Sequence, residues 1–354
     1  MDQTRIGILG AGGIAREHGI AWSANAPRAR IAAIADVTPS RAQWLSDTYA
    51  GGTARIHDSL ASLLADLEVD AVDICLPHHL HTEAIVAAAE AGKAILCEKP
   101  LCTSMDDAAR IGRTLAETGA TFMMAHNQLF QPSLIEARRL LATGVLGKPF
   151  VIRSIETFQN RGFTTTQLPP HLRVGESPFA WRSDPAKMGG GEVLDTGWHG
   201  SYRLLALAEE RPVEVTAMMN TFYVPGLKVE DTGMLMVRFA SGAIGEMLTS
   251  WAFSNIDDWH FEVAAEKGTV AGGRAKIVHQ LHAWPGQAVL PVEPVHTFSK
   301  EATAFLDVVQ LGATNPAPFE QAARVLQLTK AAYLSAREHT VVQLPENPAE
   351  LPGA

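Results

Sequence analysis

The chain is poor in cysteine. Its 354 residues hold three, Cys75, Cys97 and Cys102, with no C-x-x-C pair among them. So sparse and odd a count argues against a disulfide framework and suits a reducing compartment. No apolar run approaches the ~18 residues that a membrane span requires. Met1-Asp2-Gln3-Thr4 shows no charged-then-apolar leader, so the expected location is the cytoplasm, with no membrane partner. Basic residues are outnumbered, 29 Lys and Arg against 38 Asp and Glu, for a formal net charge of −9. That balance offers no electrostatic footprint for nucleic acid. Internal repeats, low-complexity tracts and long flexible linkers are missing too. What remains is an ordinary globular composition, 47% hydrophobic and 19% charged. The chain is longer than one hydrophobic core usually serves, so two domains are expected.

Ala94-Ile95-Leu96-Cys97-Glu98-Lys99-Pro100-Leu101 is the stretch around which the rest is organised. Four apolar residues are too few for a helix and read as a buried strand, which Pro100 stops. A Glu-Lys pair set against a core is costly unless it is used, and ligands bind at the carboxyl ends of strands in open parallel sheets. Lys99 is therefore a candidate for the floor of an active site, the alternative being a plain strand-end ion pair.

Arg5 to Leu9 is a short strand ending in Gly10-Ala11-Gly12-Gly13-Ile14-Ala15, a G-x-G-x-x-A turn with a helix after it. The first glycine allows the tight turn, the second admits a pyrophosphate close to the backbone, and the small third residue lets helix and strand pack. A second strand, Ile31 to Ala35, ends at Asp36, about 20 positions beyond the turn, where a carboxylate grips an adenosine ribose. Asp36 favours NAD over NADP by repelling a 2′-phosphate, and nearby Arg41 softens that preference or is simply a first-turn arginine of the helix opened by Thr38-Pro39. Ser59 to Asp66 reads as helix and Ala71 to Leu76 as strand. Pro77-His78-His79-Leu80-His81 is the next strand-to-helix loop. Its histidines invite a zinc reading, but no cysteine or carboxylate with ligand spacing accompanies them, so no metal is expected. Pro77 and His81 instead line the nicotinamide pocket, or His81 merely occupies the first helical turn. Ser104-Met105-Asp106-Asp107 has capping-box form, its helix runs to Gly119, and Thr121 to Ala125 is a further strand. Alternating strands and helices over about 125 residues describe a doubly wound parallel sheet.

The pattern then changes. Pro132 to Thr143 reads as helix and Pro149 to Phe158 as a long strand. Gln159 to Gly191 is rich in loops, with Pro169, Pro170, Pro178 and Pro185, and holds Trp181-Arg182, candidates for substrate contact, the alternative being a surface arginine beside a packed tryptophan. Gly189-Gly190-Gly191 leads into Glu192-Val193-Leu194-Asp195-Thr196-Gly197-Trp198-His199 and an apolar helical run. Asp195 and His199 are expected one turn apart on one helix face, as a proton-transfer pair or, taken alone, a plain surface Asp–His pair, with the glycines able to meet a ligand backbone-first. Val213 to about His282 alternates as antiparallel strands with turns at Ala240-Ser241-Gly242 and Lys267-Gly268. Outward apolar positions there would form an oligomer interface. Phe298 to Gln310 and Pro318 to Glu338 read as amphipathic helices.

Together these residues resemble the glucose–fructose oxidoreductase / inositol dehydrogenase (Gfo/Idh/MocA) family over nearly the whole chain. The glycine turn, Asp36, Glu98-Lys99-Pro100, and Gly189-Gly190-Gly191 through Asp195, Gly197 and His199 carry the resemblance. It implies an α/β fold: an N-terminal Rossmann domain, residues 1–126, and a C-terminal α+β domain, residues 127–354, with a large, mainly antiparallel open sheet for substrate binding and for homodimer or homotetramer formation. The implied activity is hydride transfer between NAD, or NADP, and a hydroxyl or carbonyl carbon of a sugar, polyol or similar substrate. Lys99, Asp195 and His199 would surround that carbon. Two departures bear on substrate: Tyr202 stands where the family often has Asp, and His126-Asn127-Gln128 matches loosely a segment where a longer basic side chain is common, so Asn127 and Gln128 would meet a different substrate group.

In the expected mechanism His199, oriented by Asp195, removes the hydroxyl proton. Lys99 stabilises charge on the same oxygen, or is itself the base if burial lowers its pKa. Glu98 anchors Lys99 or the nicotinamide ribose, and Gly10, Gly12, Gly13, Ile14 and Ala15 cradle the cofactor. Two other functions fit the same fold: an NAD-dependent glycoside hydrolase working through transient oxidation, and a non-catalytic dinucleotide sensor.

Overall fold

The computed structural model describes residues 3–159, 172, 180–224, 227–256, 258–348 and 350. Most of the loop-rich stretch after Gln159, including Pro169, Pro170 and Pro178, lies outside the described residues. The chain forms two compact units, each gathered from separate segments.

The first unit takes the chain to Asn127, with described residues of 163–189 and 298–322. Its elements alternate: β1 (Thr4–Leu9), α1 (Ala15–Ala24), β2 (Ala29–Ala35), α2 (Pro39–Tyr49), β3 (Arg55–His57), α3 (Leu60–Leu64), β4 (Ala71–Ile74), α4 (His81–Glu90), β5 (Ala94–Glu98), α5 (Met105–Thr118) and β6 (Phe122–Ala125). The strands are parallel in the order β3-β2-β1-β4-β5-β6. Their near-continuous burial, as in Ile6, Ile8, Ile34, Ile74 and Ile95, is that of a sheet covered on both faces. The order reverses direction between β1 and β4, the crevice where such sheets hold ligands. Register fixes what meets there: Leu9 pairs with Ile74, and Ile74 with Cys97. The turns leaving β1, β4 and β5 therefore lie side by side.

Local chemistry sets the helix ends. The Ser104 side chain accepts the Asp107 N–H at 3.1 Å, although its hydroxyl, and not its backbone N–H, takes the returning Asp107 carboxylate. Gly119 ends α5 in the left-handed conformation with φ 67°. Thr38 is the N-cap of α2 and Pro39 follows it, but the Thr38 side chain makes no capping bond.

The remaining elements are α6 (Pro132–Ala142), β7 (Pro149–Thr157), α7 (Pro185–Met188, in the first unit), α8 (Gly197–Ala208), β8 (Pro212–Asn220), β9 (Thr232–Phe239), β10 (Ile244–Ser250), β11 (Phe261–Ala265), β12 (Gly268–Gly272), β13 (Lys276–Leu281), β14 (Ala288–Pro291), α9 (Thr297–Leu311), α10 (Phe319–Glu338) and β15 (Val342–Gln343). The second unit is built on a nine-stranded sheet, β14-β13-β12-β11-β7-β10-β9-β8-β15, antiparallel except where β10 runs parallel to β7. Alternation along β9 buries Leu235, Val237 and Phe239 and turns Met234 and Met236 outward. Helix α8 covers the buried face, where Ser154 Oγ of β7 donates to the Gly200 carbonyl at 2.8 Å and a Cβ on Gly200 would press on Met247 of β10. Met218, Met234, Met236 and Ile244 are exposed.

Candidate active site

At the glycine turn the two key glycines have different reasons to be glycine. Gly10 has φ +96°, and a Cβ there would lie 2.6 Å from the Cys75 carbonyl oxygen, so the fold itself demands it. A Cβ on Gly12 would meet nothing within 4 Å among the described residues. Space left open in front of a helix N-terminus is what a pyrophosphate needs. Ala15, fully buried, provides the close helix–strand packing. The Asp36 carboxylate accepts the N–H groups of Ala11 and Thr38, both at 2.7 Å, which holds it over the turn. These residues fit a dinucleotide. Arg41 is buried, with Nη2 3.4 Å from the Leu172 carbonyl oxygen.

Beside it, Pro77 leads into a single turn at His78–Leu80. His81 is completely buried, its ring nitrogens 2.7 Å from the Pro100 oxygen and 2.9 Å from the Leu76 oxygen. From the first turn of α4 it ties the β4 and β5 exits together, each ring nitrogen facing a backbone carbonyl. His78 Nδ1 lies 3.0 Å from the Met188 carbonyl, and its ring meets Trp181 edge-on. The Arg182 guanidinium stacks over the Trp181 ring at 4.5 Å.

Glu98 is buried and Lys99 half-buried. Glu98 Oε2 accepts the Lys99 backbone N–H at 3.1 Å. Its other oxygen, Oε1, lies 3.0 Å from His18 Nε2, and His18 Nδ1 lies 2.8 Å from Asp73 Oδ2. Trp22, one turn after His18 on α1, donates to the same Asp73 oxygen at 2.6 Å. The Cys75 thiol, pushed up to about 12 by burial and the Asp73 charge, sits 3.7 Å from Asp73 Oδ1. Among the described residues His18, Asp73 and Cys75 are the one group with metal-ligand types gathered within 4.8 Å, and they are already hydrogen-bonded to one another.

In the second unit, Asp195 is buried and His199 half-buried. The helix expected to carry both begins only at Gly197, so Asp195 stands in the preceding turn; the Gly197 N–H reaches back to the Glu192 carbonyl at 2.8 Å and the Asp195 N–H to Gly191 at 3.0 Å. Four glycines in nine residues weaken regular helix there. Nor are Gly190 and Gly191 left open for a ligand. A Cβ on Gly190 would overlap the Tyr333 hydroxyl, and one on Gly191 the Glu230 carbonyl oxygen. Tyr333 donates to Glu230 Oε1 at 2.6 Å and receives the Gly191 N–H at 2.9 Å. Glu230 also accepts the Val193 N–H at 3.0 Å. The Trp251 indole donates to Thr196 at 2.8 Å.

Several side chains that hold these strand and helix ends carry no signal in the motifs: His18, Trp22 and Asp73 in one unit, Arg203, Glu156, Glu230 and Tyr333 in the other. Arg203, one turn beyond His199, is buried and pairs with the Glu156 carboxylate and the Gln128 amide oxygen, while also donating to the carbonyls of Ile155 and His260 at 3.1 and 3.0 Å. Gln128 is therefore part of a scaffold. Asn127 opens a short turn after β6, next to buried His126. Tyr202 is buried on α8. Glu192 is buried and bound by the Thr249 hydroxyl; burial, and behind it the Asp195 charge, push its carboxyl well above the usual range.

Residues 4–126 match the profile of the oxidoreductase family with an NAD-binding Rossmann fold, and residues 134–271 that of the GFO/IDH/MocA C-terminal domain. The chain belongs to the Gfo/Idh/MocA family of oxidoreductases. It is 28% identical to 1,5-anhydro-D-fructose reductase of Ensifer adhaerens, covering 86% of this chain and 88% of the relative. It is 27% identical to inositol 2-dehydrogenase of Rhizobium meliloti (strain 1021), covering 96% and 99%. Its fold matches a levoglucosan dehydrogenase solved with NADH and levoglucosan, at TM-score 0.86 and 22% identity over 98% of this chain and 100% of that one. No helix among the described residues is long and apolar enough to cross a membrane.

Proposed function

We propose that this oxidoreductase transfers a hydride between NAD and a carbinol or carbonyl carbon of a sugar, polyol or sugar derivative. One observation carries the reading: in-register strand ends put the open Gly12 turn, the Pro77 exit and Glu98–Lys99 on neighbouring strands. Relatives named for an anhydro-sugar, an inositol and a pentose support the substrate class. Asp36 favours NAD, because a 2′-phosphate would face a carboxylate.

When bound, the nicotinamide supplies the hydride acceptor or donor. The chain's own residues handle the proton and the charge. A His199 ring nitrogen takes the hydroxyl proton during oxidation, with Asp195 orienting the ring. The Lys99 ammonium donates to the same oxygen and stabilises the charge that develops on it. Glu98, through the Lys99 N–H, fixes that strand end. Trp181, Arg182 and Asn127 contact the remaining substrate hydroxyls, and Gln128 acts on them only through Arg203. Copies of the chain associate through the exposed Met218, Met234 and Met236 face, which sedimentation of a Met234→Lys variant would test.

A screen of polyols, aldoses, anhydro-sugars and glycosides with NAD and NADP, recording NADH formation and sugar release together, tests the reading. Stoichiometric NADH is the expected result. Glycoside cleavage without NADH would replace it with the redox-neutral hydrolase. Lys99→Ala and His199→Ala should each lower turnover by roughly 10²-fold or more with cofactor affinity nearly unchanged. Full activity in both would overturn the roles assigned.

A further inference from the structure

His18 sits on the inner face of α1, completely enclosed, with a carboxylate oxygen against each ring nitrogen: Asp73 Oδ2 at 2.8 Å and Glu98 Oε1 at 3.0 Å. A neutral imidazole carries one N–H and could satisfy only one of these acceptors; the other nitrogen would point a lone pair at an anion. Only the imidazolium donates to both. The Phe298 ring closes the site edge-on at 5.5 Å. We infer that His18 is a positioning residue for Lys99: as a fixed cation clamped between Asp73 and Glu98, it holds the Glu98 carboxylate aimed at the Lys99 backbone N–H. The inference rests on the proposed role of Lys99 at the reacting oxygen.

The geometry has a consistent charge balance. Burial, the largest influence, opposes the imidazolium, but the neighbouring Asp73 and Cys75 together hold His18 well above its ordinary range. Glu98 is faced by Asp73 of β4 and Cys75 just beyond it, by Cys97 of its own strand and Lys99 just beyond that strand, by His81 from α4 and by Glu301 from α9. Burial pushes the Glu301 carboxyl well above the usual range, and the thiols of Cys75 and Cys97 are pushed up too. The His18 imidazolium is the cation that touches both the Asp73 and the Glu98 carboxylates. Removing it leaves the buried Glu98 Oε1 without that partner.

The test has two arms. In the wild-type protein, imidazole nitrogen NMR should show His18 still as imidazolium well above the ordinary titration near 6.5. A ring that titrates at the ordinary value overturns the inference, and this arm needs no turnover. In the second arm, kcat and KM are measured for His18→Gln, Glu98→Ala and the double variant. His18→Gln should lose roughly tenfold to hundredfold in kcat with KM for NAD nearly unchanged, because the Glu98 carboxylate is no longer held on the Lys99 N–H. In the Glu98→Ala background, which has no carboxylate to aim, His18→Gln should cost nothing further. The same loss in both backgrounds, or a raised KM with kcat unchanged, would mean that His18 is only structural and would overturn the inference. Absence of NAD(P)H turnover in the wild type would refute the functional reading instead, leaving the charge of His18 to the first arm.

Discussion

Gly191 lies so close to the backbone carbonyl of Glu230 that a Cβ would overlap its oxygen. The contact is part of a clamp: the Glu192 N–H donates to that same carbonyl at 3.0 Å, and the Glu230 side chain takes Val193 and Tyr333. The turn that presents Asp195 is thus held from behind by a carboxylate and a phenol, and its glycines are taken up by that packing. Gly191→Ala should lower stability by about 2 kcal/mol or more, since backbone cannot move aside as a flexible side chain can. Denaturant unfolding measures this, and a variant as stable as the wild type would show that the turn is free to shift.

The glycine turn of the first unit allows a sharper division. Gly10 is fixed by its positive φ and by the Cys75 carbonyl, whereas Gly12 has open space beside it among the described residues. Gly10→Ala should therefore lower the melting temperature. Gly12→Ala should leave it unchanged or slightly higher, by up to about 1 kcal/mol from the stiffer unfolded chain. The same Gly12 substitution should weaken NAD binding at least tenfold in calorimetric titration, because its methyl group enters the space left for the phosphates. Equal affinity for NAD would mean that the phosphates do not use the space beside Gly12.

This division explains how much could be read from the sequence. The spacing from the glycine turn to Asp36, the Ser104 and Gly119 helix ends, and the 2-residue alternation of β9 are local rules, and each appears in the structure. The three residues of β3 are too few to carry a period. The start of α8 departs from its i, i+4 spacing because such spacing says nothing about glycine-rich turns that imitate a helix. His18 pairs with partners 55 and 80 residues away, and Arg203 with one 47 away. No periodicity encodes such pairs. The one local sign is a charged side chain inside an apolar helix, Arg203 between Tyr202 and Leu204, which has to find a partner when buried.

Arg203 provides a stability test of that point. It ties β7 to α8 through Glu156, Ser154 and two carbonyls, and it holds Gln128. Arg203→Met strands the Glu156 carboxylate in a buried place and should cost roughly 3 kcal/mol or more. Adding Glu156→Gln removes the stranded charge, so the double variant should be more stable than Arg203→Met alone. A double variant with the summed loss of both singles would mean that the pair does not act as a unit.

Glu301 offers a test by pH. It is buried on α9, and its Oε2 has no hydrogen-bond partner among the described residues. Burial raises its carboxyl well above the usual range in the native state, whereas the unfolded chain titrates near 4.3. Between those two values the native protein holds a proton that the unfolded chain has released, so this group makes stability fall as pH rises. Below the unfolded value both states are protonated and the effect vanishes. Glu301→Gln is neutral at every pH and removes the dependence. Relative to the wild type, the variant should gain stability progressively from about pH 4.5 toward neutrality. His18, raised in the same direction, is common to both proteins and cancels in the difference. Melting curves of the two proteins across that range measure the gain; a constant offset would mean that Glu301 is ionised in the native state, and that the buried cluster carries a third anion in addition to Asp73 and Glu98.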